Sequence, residues 1–232
     1  MLERPAALTR ARPAASADGG RSLLRWAHAA RTPAGRVRRA IGWGDQRLLL
    51  ALRTSGHSPA LERTARALGA FGELGAGWTA IALTGSATRP AERNRWLTAA
   101  TVAPAAILAN YAVKILVGRE RPLVEEHPPL ARAPSKLSFP SAHSTSAVAA
   151  AIAIGRVAPG TRAPLYGLAA AICLGRPYLG MHYPTDVLAG VALGALIGRA
   201  YPLPAAATEA APDRVPTEDL DAVPATPVAV PA

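Results

Sequence analysis

The chain has 232 residues, half of them hydrophobic and 5% aromatic, which is enough for one domain with extensions. Its net charge of +11 comes mainly from arginines that are not interleaved with aromatic residues, so nucleic acid is not the expected partner. The single cysteine, Cys173, excludes an intrachain disulfide and a cysteine-rich metal site.

The two ends of the chain lack long apolar runs. Residues 1–40 are rich in Arg, Ala, Pro and Gly and contain no apolar stretch of the kind that a secretory signal requires. Residues 203–232 are rich in Pro and Ala and carry several acidic side chains. We expect both tails to be disordered, the first as a basic anchor beside a membrane or simply as solubilising charge.

The next segment, residues 41–67, mixes leucines with arginines. This composition is typical of amphipathic helices that lie at a membrane interface or re-enter it. Ser55 and Gly56 predict a break within the segment.

Two apolar stretches then predict membrane spans. Residues 68–88 are apolar except for Glu73, and residues 96–113 carry no charge at all. Both are long enough to cross a bilayer. Pro104 predicts a kink in the second span.

Three shorter apolar helices are predicted at 140–154, 163–174 and 185–201. Flanking arginines extend such helices to the membrane interfaces. Glycines recur every fourth residue in the last helix, a spacing that lets helices approach closely. They are Gly190, Gly194 and Gly198. The sequence therefore predicts an all-α, polytopic membrane bundle of about five to six helices, with its core over residues 68–202.

Three short polar motifs interrupt this apolar core. Their side chains are Lys114 and Arg121 in the first, Ser141 and His143 in the second, and Arg176, His182 and Asp186 in the third. Three cations, two histidines and one aspartate are what transfer of a phosphoryl group to a histidine requires. The cations neutralise phosphate oxygens, one histidine attacks, the other protonates the leaving oxygen, and the aspartate orients the attacker.

The motifs resemble the three signature motifs of the type 2 phosphatidic acid phosphatase family. Its superfamily also includes soluble acid phosphatases and vanadium haloperoxidases. The resemblance covers about residues 96–201 and rests on nine positions, which are Lys114, Arg121, Pro122, Pro140, Ser141, His143, Arg176, His182 and Asp186. Two positions depart from the pattern: Ala142 stands where Gly is usual, and Gly175 where Ser is usual.

The resemblance implies a role for each residue. His182 is the nucleophile, Asp186 orients it, and His143 is the general acid. The phosphate is bound by Lys114, Arg121, Ser141, Ala142 and Arg176. Pro140 also predicts a helix start, which would offer the phosphate free backbone amides. Arg119 matches no motif position and is interpreted as an interface anchor.

No cluster of side chains with metal-ligand spacing is apparent in the sequence, so we expect a metal-independent enzyme without a cofactor. The substrate predicted is a lipid phosphate or diphosphate. A compact Ala- and Gly-rich core favours a polyprenyl chain, of the undecaprenyl diphosphate or decaprenylphosphoryl-phosphoribose type that the family includes. Phosphatidate and phosphatidylglycerol phosphate are the alternatives. A soluble acid phosphatase of the superfamily and a non-catalytic lipid-headgroup binder also remain open.

The expected location is the cell membrane, crossed several times. The basic segment before Ile41 predicts a cytoplasmic N-terminus, whereas Arg156 and Arg162 predict a cytoplasmic turn and an active site on the outer face. These two predictions are compatible only if residues 44–66 also cross or re-enter the membrane. The sequence does not indicate an oligomeric state.

Overall fold

The computed structural model describes residues 33–124 and 126–206, with only the backbone described for residues 33–40. Within these ranges the chain is helical, and extended pairing is limited to one isolated bridge between Glu120 and Leu137. The predictions of disorder for residues 1–32 and 207–232 lie outside the described ranges. The all-helical class predicted from the sequence is confirmed.

The described ranges contain eight α-helices. They are α1 (Pro33–Thr54), α2 (Pro59–Gly72), α3 (Ala76–Thr88), α4 (Arg93–Ala100), α5 (Val102–Val117), α6 (Ala142–Val157), α7 (Arg162–Tyr178) and α8 (Pro184–Ala200). Short 3-10 turns lie at Glu73–Gly75, Pro90–Glu92 and Pro159–Thr161. Small apolar side chains of the α-helices pack around α6, which contacts α5, α7 and α8.

The N-terminal helix α1 begins at Pro33, inside the segment that the sequence predicted as a tail. It ends at the predicted break, where Gly56 adopts a left-handed φ of +70° that glycine accepts without strain. The next helix, α2, starts at Pro59 and is capped by Ser58, whose hydroxyl accepts the Leu61 N–H at 3.2 Å. Two helices therefore precede the apolar core.

The predicted span at 68–88 is divided into α2 and α3 by the turn Glu73–Gly75. Leu74 and Gly75 have φ values of +50° and +73° there. A β-carbon on Gly75 would come within 2.7 Å of the Ala103 side chain, so glycine also permits close approach to α5. The sequence prediction missed this break because the stretch is apolar except for Glu73 and contains no proline.

The second predicted span, residues 96–113, is interrupted near Pro104, where the sequence predicts a kink. The break between α4 and α5 falls at Thr101, three residues before Pro104. Proline offers no N–H to the carbonyl four residues earlier, at Ala100, and the Thr79 hydroxyl donates to that carbonyl instead at 3.3 Å. Within the described residues, Pro90–Val117 is the one stretch long and apolar enough to cross a membrane.

The predicted glycine spacing in α8 produces the tightest helix pair. β-carbons added at Gly190 and Gly198 would lie 2.7 Å from the carbonyl oxygens of Ser141 and Ala149 on α6. At Gly194 the added carbon would collide with the Thr145 carbonyl. Because glycine has no side chain, the two backbones approach directly, and this fixes the start of α6 against the start of α8.

The bundle has two distinct ends. At one end, named here the arginine end, Arg95 donates to the Arg156 carbonyl at 3.2 Å, and Arg156 donates to the carbonyls of Gly198 and Tyr201. The opposite end, named the motif end, consists of residues 118–141 and 179–183. All three polar motifs meet there.

Candidate active site

A cavity of about 40 Å³ opens at the motif end. Its wall includes six of the sequence-predicted site residues, which are Lys114, Arg121, Ala142, His143, Arg176 and His182. It also includes Glu73, Leu74, Ile107, Tyr111, Arg132 and Ser135. Ser141 and Asp186, also predicted, lie behind this wall. Side chains from three helices, the turn Glu73–Gly75 and two loops therefore converge on one small space.

His182 lies in the loop between α7 and α8 and is 2% exposed. Its Nε2 is 3.1 Å from a guanidinium nitrogen of Arg121. Because a guanidinium can only donate, Nε2 must be the unprotonated acceptor, and the ring proton is on Nδ1. Nδ1 lies 3.7 Å from Asp186 Oδ2, an ion-pair distance longer than a hydrogen bond. The Nε2 electron pair therefore accepts a hydrogen bond from Arg121 in this structure.

The electrostatics of the loop keep this histidine neutral. Burial, reinforced by the charges of Arg121 and Arg176, lowers the pKa of His182 from its ordinary 6.5 to about 3, although Asp186 acts in the opposite direction. A neutral imidazole is the form that can attack phosphorus.

His143 occupies the first turn of α6 and lies against α2. Its Nε2 is 3.1 Å from the Gly69 carbonyl, which can only accept, so Nε2 carries the proton. The Glu73 carboxylate is 3.5 Å from the same nitrogen. The ring thus donates its Nε2 proton to the Gly69 carbonyl at the edge of the cavity and lies beside the Glu73 carboxylate.

The two motif arginines on the cavity wall differ in their contacts. Arg121 is held in place by the carbonyls of Ser135 and Met181, at 2.8 and 2.7 Å. Arg176 is 5% exposed and makes no hydrogen bond to any residue in the described ranges. A buried guanidinium without a partner is costly, and an anion in the cavity would compensate it.

Lys114 has its donors already occupied. Its ammonium donates to the carbonyls of Leu137, Ser138 and Pro140 at 3.3, 3.2 and 3.0 Å, and the residue is 2% exposed. The resemblance implied a phosphate contact. The hydrogen bonds of the ammonium fix the segment leading into α6, and because Lys114 also lies on the cavity wall, the phosphate contact stays a prediction.

Ser141 and Ala142 also differ from each other. Ser141 is the N-cap of α6, where its hydroxyl accepts from the Ser144 hydroxyl at 3.0 Å, and it is fully buried rather than on the cavity wall. Ala142 is the first helical residue and lines the cavity with an unstrained backbone. Helix α6 thus begins at Ala142 and not at Pro140, and its amide-rich end faces the site.

Asp186 is fully buried in the first turn of α8. Its Oδ2 accepts the Tyr183 N–H at 2.9 Å, which is the reach-back contact of a capping box. Its Oδ1 accepts from Arg119 at 2.9 Å. The interpretation of Arg119 as an interface anchor is therefore wrong, because its guanidinium binds the aspartate behind the nucleophile.

Sequence reasoning also missed the role of Glu73. Glu73 is the one charged residue in the apolar stretch 68–88, and this isolation was the feature of the sequence that could have indicated a role in the site. A β-carbon added at Gly175, which replaces the usual serine, would lie 3.8 Å from the Ala65 side chain, and neither residue lines the cavity. Among the described residues, no three His, Cys, Asp or Glu side chains gather as they would around a metal ion.

The class of protein follows from this fold and site. The model of the PAP2 superfamily matches residues 95–206. A crystal structure of a transmembrane PAP2-type phosphatidylglycerolphosphate phosphatase from Bacillus subtilis shares the fold with a TM-score of 0.58. It is 24% identical, and the match covers 78% of this chain and 90% of that one. LpxE from Aquifex aeolicus gives a TM-score of 0.54 at 22% identity, over 66% and 92% of the chains.

Curated relatives are more similar in sequence. A decaprenylphosphoryl-5-phosphoribose phosphatase from Mycobacterium tuberculosis is 46% identical over 143 residues, which is 60% of this chain and 78% of the relative. The protein of that name from Mycolicibacterium smegmatis is 43% identical over 151 residues, or 63% and 81%. The chain belongs to the PAP2 superfamily, and it is a phosphatase. The family predicted from the three motifs is confirmed.

Proposed function

We propose that this protein is a multi-pass membrane phosphatase that removes phosphate from a polyprenyl-linked substrate of the decaprenylphosphoryl-5-phosphoribose type. The observation that carries the proposal is the convergence of His143, His182, Arg121 and Arg176 on one cavity at the motif end. The substrate class is taken from the two relatives, which are phosphatases of that compound. The other lipid phosphates considered from the sequence become the competing outcomes of the test.

The reaction proceeds in two steps. When the phosphate binds, the Arg121 N–H turns from His182 Nε2 to a phosphate oxygen. The released Nε2 electron pair then attacks phosphorus, the nitrogen–phosphorus bond forms, and the bond to the ester oxygen breaks. His143, in its imidazolium form, gives one ring proton to that leaving oxygen and becomes neutral. Water then attacks the phosphohistidine, His143 takes the proton from this water, and inorganic phosphate leaves with both histidines restored.

Charge stabilisation comes from the cavity wall. Arg176, which lacks a partner, and the unoccupied nitrogen of Arg121 bind the equatorial phosphate oxygens. The amide end of α6 at Ala142 supplies a further donor. Lys114 contributes charge through its position and keeps the loop in place. Asp186 orients His182 and stabilises the positive charge that develops on its ring.

The cavity wall also has an apolar part that suits a lipid. Leu74, Ile107 and Tyr111 form its apolar part, and Leu74 is 72% exposed. On the same helix as Tyr111, Leu108 and Ile115 are 75% and 72% exposed. A lipid chain in the bilayer can therefore lie against α5 while only its phosphate end enters the 40 Å³ cavity.

The proposed topology places the motif end on the outer face. At the opposite end six arginines lie outside the cavity wall, and positively charged loops remain in the cytoplasm. They are Arg89, Arg93, Arg95, Arg156, Arg162 and Arg199. Because Asp45 contacts the motif end, this orientation puts α1 outside as well. It replaces the sequence-based expectation of a cytoplasmic segment immediately before Ile41.

A panel of substrates tests the proposal. Purified protein should release phosphate faster from a decaprenylphosphoryl-5-phosphoribose than from phosphatidate, phosphatidylglycerol phosphate or undecaprenyl diphosphate in matched detergent. A preference for a glycerolipid would overturn the substrate assignment and leave the phosphatase class intact.

A further inference from the structure

The N-terminal helix α1 reaches the site through one carboxylate. Asp45 is 3% exposed, and its Oδ1 accepts the Thr185 N–H at 2.9 Å. Its Oδ2 accepts from the Thr185 hydroxyl and, at 2.7 Å, from Arg119. Thr185 is the second residue of α8, so its N–H has no partner within the helix. Asp45 thus supplies, from another helix, the negative charge that a helix N-terminus favours.

Arg119 connects this carboxylate to the one behind the nucleophile. One of its terminal nitrogens donates to Asp45, and the other donates to Asp186 Oδ1 and to Thr185 Oγ1 at 2.9 and 2.8 Å. Its guanidinium carbon lies 4.1 Å from the centre of the Tyr183 ring. The planar fork of an arginine suits this double contact, which a lysine cannot reproduce fully.

The result is that Asp186 is held from both sides. Arg119 occupies Oδ1, while Oδ2 accepts the Tyr183 N–H and faces Nδ1 of His182. Rotation of the carboxylate would break at least one charged hydrogen bond. Two buried carboxylates also share a single cation here, so positive charge appearing on His182 during attack is favoured.

We propose that Arg119 and Asp45 are positioning residues that act through Asp186 on His182, so that α1 completes the active site. The idea rests on the proposed role of His182 as the nucleophile. Helix α1 precedes the family match, which begins at residue 95. A purely structural role, in which Asp45 only docks α1, is the competing account.

The test compares variants of the full-length protein in detergent, with the lipid phosphate of the panel that the wild type hydrolyses fastest. The variants are Arg119→Gln, Arg119→Lys and Asp45→Asn. Arg47→Gln is the matched control, because Arg47 is an exposed arginine on α1 that stacks on Trp43 and does not contact the network. We measure kcat, KM and the thermal midpoint of unfolding for each.

We expect Arg119→Gln and Asp45→Asn to lower kcat roughly 10- to 100-fold, comparable with losing the outer partner of a metal-binding histidine. KM should stay within about twofold, because neither side chain touches the substrate. Arg119→Lys should recover part of the loss, and Arg47→Gln should match the wild type. In an Asp186→Asn background, Arg119→Gln should have little further effect, since its target is gone.

A wild-type kcat for folded Arg119→Gln, or an undiminished effect in the Asp186→Asn background, would overturn the inference alone. So would a lower unfolding midpoint without loss of kcat, which would show docking only. If Arg119→Gln does not fold, Asp45→Asn and Arg119→Lys decide the same question. A wild-type protein that hydrolyses none of the lipid phosphates overturns the proposed function and this inference with it.

Discussion

At the scale of single residues, the motif cations divide into two kinds. Lys114 donates to three backbone carbonyls, whereas Arg176 has no hydrogen-bond partner in the described ranges. Both belong to the same set of signature positions, and sequence alone could not separate them. Their difference comes from which backbone groups lie around each side chain.

This difference predicts opposite responses to substitution. Lys114→Met removes the donor from three buried carbonyls and should lower the free energy of unfolding by about 3 kcal/mol. Arg176→Gln should leave stability close to that of the wild type but reduce kcat/KM roughly 100- to 1,000-fold, the loss typical for one donor to a transition-state charge. Thermal unfolding and phosphate release from the same preparations provide the measurement. Loss of stability in Arg176→Gln alone would contradict this division.

The buried nucleophile predicts a dependence of stability on pH. The unfolded chain binds a proton at His182 as the pH falls below 6.5, whereas the folded protein does not until about pH 3. The unfolded state therefore binds more protons in this window, and folding stability falls as the pH is lowered through it. At pH 5 the loss is about 2 kcal/mol.

The His182→Gln variant lacks this dependence of folding stability on the protonation of residue 182. We expect the unfolding midpoint of the variant, relative to the wild type, to rise between pH 7.5 and pH 5 in the same detergent. Other titrating groups are common to both proteins and cancel in the comparison. A relative midpoint that does not change with pH would show that His182 titrates normally in the folded state.

The site was predictable from sequence wherever a motif carried it. His143, His182, Arg121 and Arg176 reach one cavity, as the three motifs indicated. Arg119 was misinterpreted because its partners, Asp45 and Asp186, are 74 and 67 residues away in the chain. No local pattern encodes such a contact. The one available hint was that Asp45 is the single acidic residue between Ile41 and Leu61.

At the scale of helices, the α6–α8 pair positions the second and third motifs against each other. Gly194→Ala places a methyl group against the Thr145 carbonyl and should cost about 1–3 kcal/mol of stability by overpacking. Gly167→Ala on α7 is the matched control, because an added β-carbon there meets nothing within 4 Å. That control should be neutral or slightly stabilising, since alanine favours helix. Equal unfolding midpoints for the two variants would contradict the close packing.

Helix boundaries were predictable where chemistry marks them. Pro104 indicated the break at Thr101, and Gly56 indicated the end of α1. The turn at Glu73–Gly75 was not predicted, because Leu74 gives no local signal for a positive φ. That turn brings Glu73 to His143 and Leu74 to the cavity mouth, so the unpredicted break has functional consequences.

At the scale of the whole molecule, the two ends of the bundle predict a topology that labelling can test. Helix α6 runs from the motif end to the arginine end, and its 16 residues span about 24 Å. Cys173 is the one native cysteine and is buried. In a Cys173→Ala background, labelling therefore comes only from the introduced cysteine. Arg132→Cys should react with an impermeant maleimide on intact cells. Gly160→Cys, at the opposite end, should react only after permeabilisation, and the reverse pattern would invert the proposed orientation.

The central claim is that phosphate passes through His182. In a single turnover with substrate labelled in its terminal phosphate, quenched in alkali to preserve a nitrogen–phosphorus bond, the label should appear on His182. His182→Ala should lose both the label and turnover. His143→Ala should form the intermediate more slowly, and most slowly for the poorest leaving groups. Label on another residue, or full activity in His182→Ala, would contradict the account.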